Sequence, residues 1–141
     1  WHLGEHSIWG KHALFEESLH SPLIVSYTGI PKPGVMSNAM VETVDIFPTL
    51  AKLAGVPSPD FVSGVSLVPI LKSPKKKGHP AFAYKSNAKT IRTETHRLIA
   101  HKGGDMELYD HRKPDGETRN IAESEPKLVQ ELLKKIEKRL K

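Results

Sequence analysis

The sequence predicts an α/β protein that also carries a small antiparallel sheet and a C-terminal helix. A short apolar run, Pro22 to Tyr27, is followed by a one-sided helical pattern that ends at Gly55, and this order is typical of an α/β layer. From Pro80 onward, short β segments alternate with polar turns, which predicts an antiparallel meander. The chain then closes with apolar residues spaced three and four apart, the period of an amphipathic helix.

The α/β part begins with residues 22–27. A run of strand formers that is apolar at most positions predicts a strand buried on both faces. Asp45 is placed to cap the helix that follows, since Asp is a favoured N-cap residue. The apolar residues of this helix form a stripe that we expect to dock on a sheet. They are Phe47, Leu50, Leu53 and Ala54.

The antiparallel part is predicted to hold four β segments, at residues 81–84, 89–93, 97–101 and 106–110. The turn at residues 102–105 contains two glycines, which tolerate positive φ and so favour a hairpin. The terminal helix opens at Ser124-Glu125-Pro126. Its apolar face comprises Leu128, Val129, Leu132, Leu133, Ile136 and Leu140. We therefore predict a boundary near Lys75, with residues 1–74 forming the end of an α/β domain and residues 75–141 an antiparallel subdomain.

Composition narrows the class of partner. The 141 residues carry a formal net charge of +5, but the densest basic run, Lys72 to Lys77, has no interleaved aromatic residues and reads as a solvated loop. We therefore expect no nucleic-acid partner, while binding of another polyanion through Lys72, Lys75, Lys76 and Lys77 stays open. The apolar runs are shorter than the ~20 residues of a membrane-spanning helix. Cysteine is absent, which excludes thiolate metal sites and thiol nucleophiles within these residues.

Residues 1–20 are the segment in which chemistry is concentrated. They hold four of the eight histidines, both tryptophans and three carboxylates, with neither a helical nor a strand period, which is typical of a structured functional loop. His2 to His6 also match H-x-x-E-H, a zinc-hydrolase pattern that requires a helix. Gly4 opposes a helix there. Loop histidines packed against Trp1 and Trp9 are the alternative interpretation.

Residues 1–18 contain the ordered pattern W-x-L-G-E-H-x-x-W-x-K, followed by F-E. This segment resembles the motif that follows the Asp-His-Gly metal-binding triplet of sulfatases, closest to the iduronate-2-sulfatase-like branch. Further matches occur in the same order along the whole chain. They include Pro22-Leu23-Ile24, residues 44–50, residues 64–71, residues 107–110 and residues 116–122. The resemblance implies the C-terminal part of an alkaline-phosphatase-like sulfatase fold, with the rest of the parent chain as its structural partner.

The resemblance also implies a reaction. A formylglycine held against calcium attacks the sulfur of a sulfate ester, and Lys11 matches the family lysine that touches the sulfate. An ammonium is a compact charge with three donors, suited to sulfuryl oxygens. Trp1 matches an aromatic position of the substrate pocket, and His6 and His12 are further candidates for substrate contact. The implied substrate is a sulfated sugar or polysaccharide. The implied location is the bacterial periplasm, or outside the cell after secretion.

Some family features lie outside these residues. The nucleophile motif Cys/Ser-x-Pro-x-Arg is absent, and no residue that matches a family position is a calcium ligand, so we expect the calcium ligands upstream of Trp1 and no catalysis by this chain alone. Two alternatives stay open besides the zinc hydrolase. One is a phosphodiesterase or phosphonate hydrolase of the same superfamily, and the other is a non-catalytic module that binds sulfated polysaccharide.

Overall fold

The computed structural model describes residues 1–140, which group into two compact units. Residues 1–23 pack with residues from Phe82 onward, and residues 24–81 form the second unit. The predicted domain division at residue 75 stays a prediction, because it concerns the domains of a whole sulfatase rather than the packing units of this chain. None of the helices formed by residues 1–140 has the length and apolar character that a membrane-spanning helix requires.

The first unit contains a short hairpin and a four-stranded antiparallel meander. The hairpin strands are β1 (His2–Leu3) and β2 (Trp9–Gly10), followed by the one-turn helix α1 (Glu16–Leu19). The meander strands are β3 (Ala81–Lys85), β4 (Ala88–Arg92), β5 (His96–His101) and β6 (Met106–Asp110), in the order β3-β4-β5-β6. The last helix of the chain runs from Pro126 to Arg139. The predicted β segments and terminal helix are therefore confirmed, with small shifts at their ends.

Both faces of the meander are covered. Leu98 of β5 pairs with Ile91 of β4 and Leu108 of β6, and these three residues pack against the apolar face of the terminal helix. Successive side chains of a strand point to opposite faces. Ile99 accordingly belongs to a second cluster, which includes Leu14 from the N-terminal segment. Residues 14–16 thus cover the face of the sheet that the terminal helix leaves open.

The second unit is built around two short helices, α2 (Ile46–Leu53) and α3 (Val68–Lys72); the terminal helix is therefore α4. Asp45 precedes α2 and is fully buried. Its carboxylate does not cap α2. It accepts the N–H groups of Glu42 and Val65, each at 2.8 Å, and contacts His79 Nε2 at 2.8 Å. The predicted cap is wrong because three partners outside the helix engage both carboxylate oxygens.

One further expectation for this part of the chain is wrong. Residues 22–27 form no strand, and the described residues provide no neighbouring strand for them, although a strand buried on both faces requires one. The apolar stripe of α2 is exposed within the second unit, and its docking on a sheet stays a prediction for the longer protein. Phe47 is 55% exposed and Leu50 is 59% exposed. Gly55 adopts a positive φ of 72° and ends the helix as expected.

Candidate functional site

The β1–β2 hairpin shapes the segment that precedes Lys11. It pairs His2 with Gly10 and Leu3 with Trp9. The Glu5 carboxylate accepts the Leu3 N–H at 2.6 Å, and this hydrogen bond, with one from the backbone N–H of Glu5 itself, lowers the pKa of Glu5 below its usual value. Glu5 therefore orders the loop, and Lys11 follows directly after the paired residue Gly10.

The two histidines of the H-x-x-E-H pattern do not share a helix. His2 lies on β1, whereas His6 lies in a short 3-10 turn with a φ of 53°. Their ring centroids are 5.8 Å apart in an edge-on arrangement, and His6 stacks on Phe15 at 3.8 Å. His2 is fully buried, and its ring nitrogens have no hydrogen-bond partner among residues 1–140. The helical zinc-hydrolase interpretation is therefore wrong, because its helix is absent here.

The predicted substrate-contacting residues lie on or beside this loop. Lys11 is exposed, and its ammonium has no hydrogen bond or ion pair within residues 1–140. His12 is exposed, and its backbone carbonyl accepts a hydrogen bond from Lys85 Nζ at 2.9 Å. Trp1 is 66% exposed, while His6 is half-buried against Phe15. The substrate roles of Lys11, Trp1, His6 and His12 stay predictions.

A buried ionic network joins Glu16, which follows Lys11 closely in the sequence, to Arg97 and Glu117, which are distant along the chain. The Arg97 guanidinium, whose side chain is 2% exposed, donates to the carboxylates of Glu16 and Glu117. Glu117, whose side chain is 3% exposed, also accepts the backbone N–H of Glu16 at 2.7 Å and contacts His111 Nε2 at 2.9 Å. A buried charge is tolerated only when it is paired and hydrogen-bonded. Here Arg97 and Glu117 satisfy that condition for each other.

The network holds its carboxylates in the ionised form. Burial raises the pKa of Glu117, but the hydrogen bond from His111, the charge of Arg97 and the Glu16 N–H outweigh it and lower the pKa to about 2. Burial likewise raises the pKa of Glu16, and the charges of Arg97 and Arg92 reverse the effect, so that this pKa lies below its usual value. Both carboxylates therefore stay charged at neutral pH.

The signals for this network in the sequence are weak. An arginine on a strand ordinarily faces solvent, yet the Arg92 side chain is 16% exposed and its Nε donates to Glu16 at 3.3 Å. Arg92 is shielded because Glu16, distant in sequence, meets the end of β4. Arg97 lies in a strand whose other residues are largely apolar. A charged residue in such a strand indicates that a buried acidic partner is present, but it does not say which one. Glu117 and Glu16 fall within the family-like motifs but were given no role of their own.

The described residues do not provide a calcium site. Two groups of His and Glu residues have ligand atoms within 4.8 Å of one another, and both include Glu117. The oxygens of Glu117 already accept hydrogen bonds from Arg97 and Glu16, and His111 also contacts this carboxylate. A guanidinium among the ligands repels a cation, and calcium requires six to eight oxygens. Residues 1–140 therefore do not fit calcium.

Comparison with known proteins identifies the family. Residues 4–141 match the family model described as N-sulphoglucosamine sulphohydrolase, C-terminal. The chain is 35% identical to arylsulfatase K of Danio rerio over 142 residues, which cover 91% of this chain and 27% of that protein. It is 32% identical over 161 residues to an N-acetylglucosamine-6-O-sulfatase of Bacteroides thetaiotaomicron, covering 99% of this chain and 28% of that protein. The chain therefore belongs to the sulfatase family, as its C-terminal portion.

Solved structures agree with this assignment. BT4656, in complex with its substrate D-glucosamine-2-N,6-O-disulfate, superposes with a TM-score of 0.66 at 28% identity, covering 76% of this chain and 25% of that one. A phosphonate monoester hydrolase from Silicibacter pomeroyi superposes with a TM-score of 0.73 at 26% identity, covering 96% and 31%. The predicted α/β class, with its antiparallel sheet and C-terminal helix, is confirmed. The particular closeness to iduronate-2-sulfatase stays a prediction.

The chain spans 27% of the length of arylsulfatase K from Danio rerio and 28% of that from Homo sapiens. It corresponds to a part of these relatives rather than to their whole length. The segment around Lys11 and the network that follows it are therefore the portion of a sulfatase whose geometry can be read here.

Proposed function

We propose that the longer protein to which this chain corresponds hydrolyses the sulfate ester of a sulfated sugar. Three findings support this proposal. The family model is that of a sulphohydrolase, one relative is an N-acetylglucosamine-6-O-sulfatase, and one related structure holds a sulfated glucosamine. A sulfated glucosamine is therefore the first substrate to test, alone or within a polysaccharide.

The observation that carries the proposal is the state of Lys11. Its backbone follows a paired strand, and the next carbonyl is held by Lys85. Its ammonium is nevertheless exposed and without a partner within residues 1–140. A charge on a fixed backbone, with none of its hydrogen bonds used internally, is suited to an anionic oxygen that gains charge during bond cleavage. In this proposal Trp1, His6 and His12 contact the sugar or the sulfate from the same loop.

Further features of the parent belong to the same proposal. Calcium and a formylglycine nucleophile would come from residues outside this chain, which offers neither the oxygen ligands nor the nucleophile motif. The proposed location is the bacterial periplasm or the exterior. We expect residues 1–141 alone to show no turnover of an aryl sulfate with calcium present. Turnover above that of a Lys11→Ala control would contradict this expectation.

The test uses the full-length protein with its upstream residues. Lys11→Ala should lower kcat for an aryl sulfate and for a sulfated glucosamine by roughly 100-fold or more, because loss of one stabilising donor costs about that much. Lys134→Ala is the matched control, since Lys134 is an exposed lysine on α4. Equal activity of Lys11→Ala and Lys134→Ala would refute the proposed role of Lys11. Absence of sulfate release by the unmutated protein would refute the proposed reaction.

One alternative is favoured by a specific observation. The phosphonate monoester hydrolase superposes over 96% of this chain, and a site that accepts a sulfate ester can also hold a phosphonate or phosphate diester. The same assays distinguish the two, because kcat/KM for a phosphonate monoester above that for every sulfate ester would favour the alternative. Polyanion binding through Lys72, Lys75, Lys76 and Lys77 stays a prediction, and it is tested by loss of heparin binding as salt rises.

A further inference from the structure

We propose that Arg97 and Glu117 are positioning residues for Lys11, because they clamp Glu16 and thereby fix the segment that presents the ammonium to the substrate. The inference rests on the proposed function for its catalytic consequence. The clamp itself is a structural statement that can be tested without activity.

The clamp holds Glu16 at two separate points. Glu117 accepts its backbone N–H at 2.7 Å, and Arg97 donates to its carboxylate. Arg97 also donates to Glu117, so the three residues form a closed ring of charge-assisted hydrogen bonds. Such bonds are about twice as strong as neutral ones, and a guanidinium adds a fixed geometry. Backbone and side chain of one residue are therefore fixed together.

The position of the ring in the fold gives it a purpose beyond stability. Arg97 lies on β5 and Glu117 follows β6, whereas Glu16 belongs to the N-terminal segment, 81 residues from Arg97 along the chain. The ring is thus the polar attachment of that segment to the meander. Leu14 supplies an apolar attachment beside it.

Lys11 lies between two fixed points. On one side Gly10 is paired with His2 in the hairpin. On the other side Leu14 and Glu16 are held to the sheet. The ammonium takes no part in either attachment. This is the arrangement expected when a scaffold fixes a backbone and leaves the reactive side chain available, and displacement by about 1 Å is enough to cost roughly 100-fold in rate.

The same carboxylates and His111 fit a cation site less well than they fit an attachment of the N-terminal segment. Glu16, His111 and Glu117 bring ligand atoms within 4.8 Å of one another, but the Arg97 guanidinium donates to both of these carboxylates. The Arg97 guanidinium therefore supplies the positive charge that balances these two carboxylates. It attaches the N-terminal segment to the meander.

The first test measures the clamp directly in the full-length protein. Glu117→Gln keeps the size of the side chain and removes its charge. Arg97→Lys keeps the charge and removes the planar guanidinium that donates to two carboxylates. Hydrogen exchange of residues 12–16, followed by mass spectrometry, should accelerate at least tenfold in Glu117→Gln and less in Arg97→Lys. Arg119→Gln, at an exposed arginine, should leave exchange unchanged. Unchanged exchange in Glu117→Gln would overturn the inference whatever the enzyme's substrate.

The second test asks whether the clamp acts through Lys11. Glu117→Gln should lower kcat for a sulfate ester about tenfold with KM changed less than about threefold, since ground-state contacts remain. In a Lys11→Ala background the same substitution should change kcat less than about twofold. The effects of substitutions that act through one group do not add. An equal fold-loss in both backgrounds would indicate general destabilisation and would overturn the inference. Loss of activity on Lys11→Ala remains the separate test of the proposed function.

Discussion

Two amphipathic helices of this chain have opposite surroundings. Helix α4 buries Leu132 and Ile136 to 2% and 1% exposure, whereas α2 leaves Phe47 and Leu50 more than half exposed. The difference lies in the partner rather than in the helix. The sheet that covers α4 is formed by β4, β5 and β6 of the same chain, while no sheet among the described residues covers α2. An apolar stripe therefore predicts that a helix needs a partner but does not provide one.

The two regions also differ in what stabilises them. The α4 region depends on apolar burial. The α2 region is held by hydrogen bonds, since Asp45 contacts His79 and accepts the Val65 N–H, and Thr49 Oγ1 accepts the Leu67 N–H at 2.8 Å. Apolar burial is insensitive to pH, whereas a carboxylate–imidazole contact is not. The regions should therefore respond differently to truncation and to pH.

The largest expected effect is truncation of the α4 core. Leu132→Ala should lower the free energy of unfolding by about 2 to 5 kcal/mol, as large-to-small changes in packed cores do. Leu50→Ala in the 141-residue chain is the matched control on α2 and should change it by no more than about 0.5 kcal/mol, because Leu50 is already exposed. Urea denaturation of both variants measures the comparison. Equal losses would show that the α2 stripe is packed in solution.

A smaller effect is expected from acid. Since the pKa of folded Glu117 is lowered to about 2 from an ordinary 4.5, its ionised form adds stability that is fully present above pH 4.5 and is lost as the pH falls toward 2. The loss should be roughly 3 kcal/mol, at about 1.4 kcal/mol per pKa unit. Denaturant midpoints measured from pH 6 to pH 2 would show it. A Glu117→Gln variant should lose less over that range, and an identical slope would contradict the assignment.

The smallest effect is expected at His79. Burial lowers the pKa of His79, but its contacts with the Pro80 carbonyl, Asp45 and Glu42 outweigh this and raise it above its usual value. The protonated form therefore adds stability below pH 6.5 that is lost as the pH rises through the folded value. The protection factor of the Val65 N–H, which donates to Asp45, should fall over that range once exchange rates are divided by the intrinsic rate at each pH. In His79→Gln the protection factor should not change with pH over this range, and the same fall in that variant would exclude His79 as the cause.

Local pattern was sufficient for one part of the fold and insufficient for another. The meander and α4 were predicted closely, because alternation and the helical period are read from neighbouring residues. Residues 22–27 were predicted as a strand from the same kind of pattern, and that prediction is wrong for this chain because strand formation depends on a partner. Asp45 was predicted to cap α2, and two of its three actual partners, Val65 and His79, lie 20 and 34 residues away.

Local pattern likewise indicated one part of the candidate site and missed another. The ordered pattern of residues 1–18 indicated the family and directed attention to Lys11. Local pattern assigned no role to Arg97, Glu117 or Arg92. Their partner, Glu16, is 76 to 101 residues away along the chain. No local pattern encodes which acid meets which base over such a separation.

The sequence by itself determined the family, the strands of the meander and the terminal helix, because each of these depends on residue types at short spacing. Only the tertiary structure decided that the N-terminal segment covers the second face of the meander and that Arg97 joins Glu16 to Glu117. The physical reason is that burial of charge depends on which distant partners remove it from water, and this is settled only when the chain has folded.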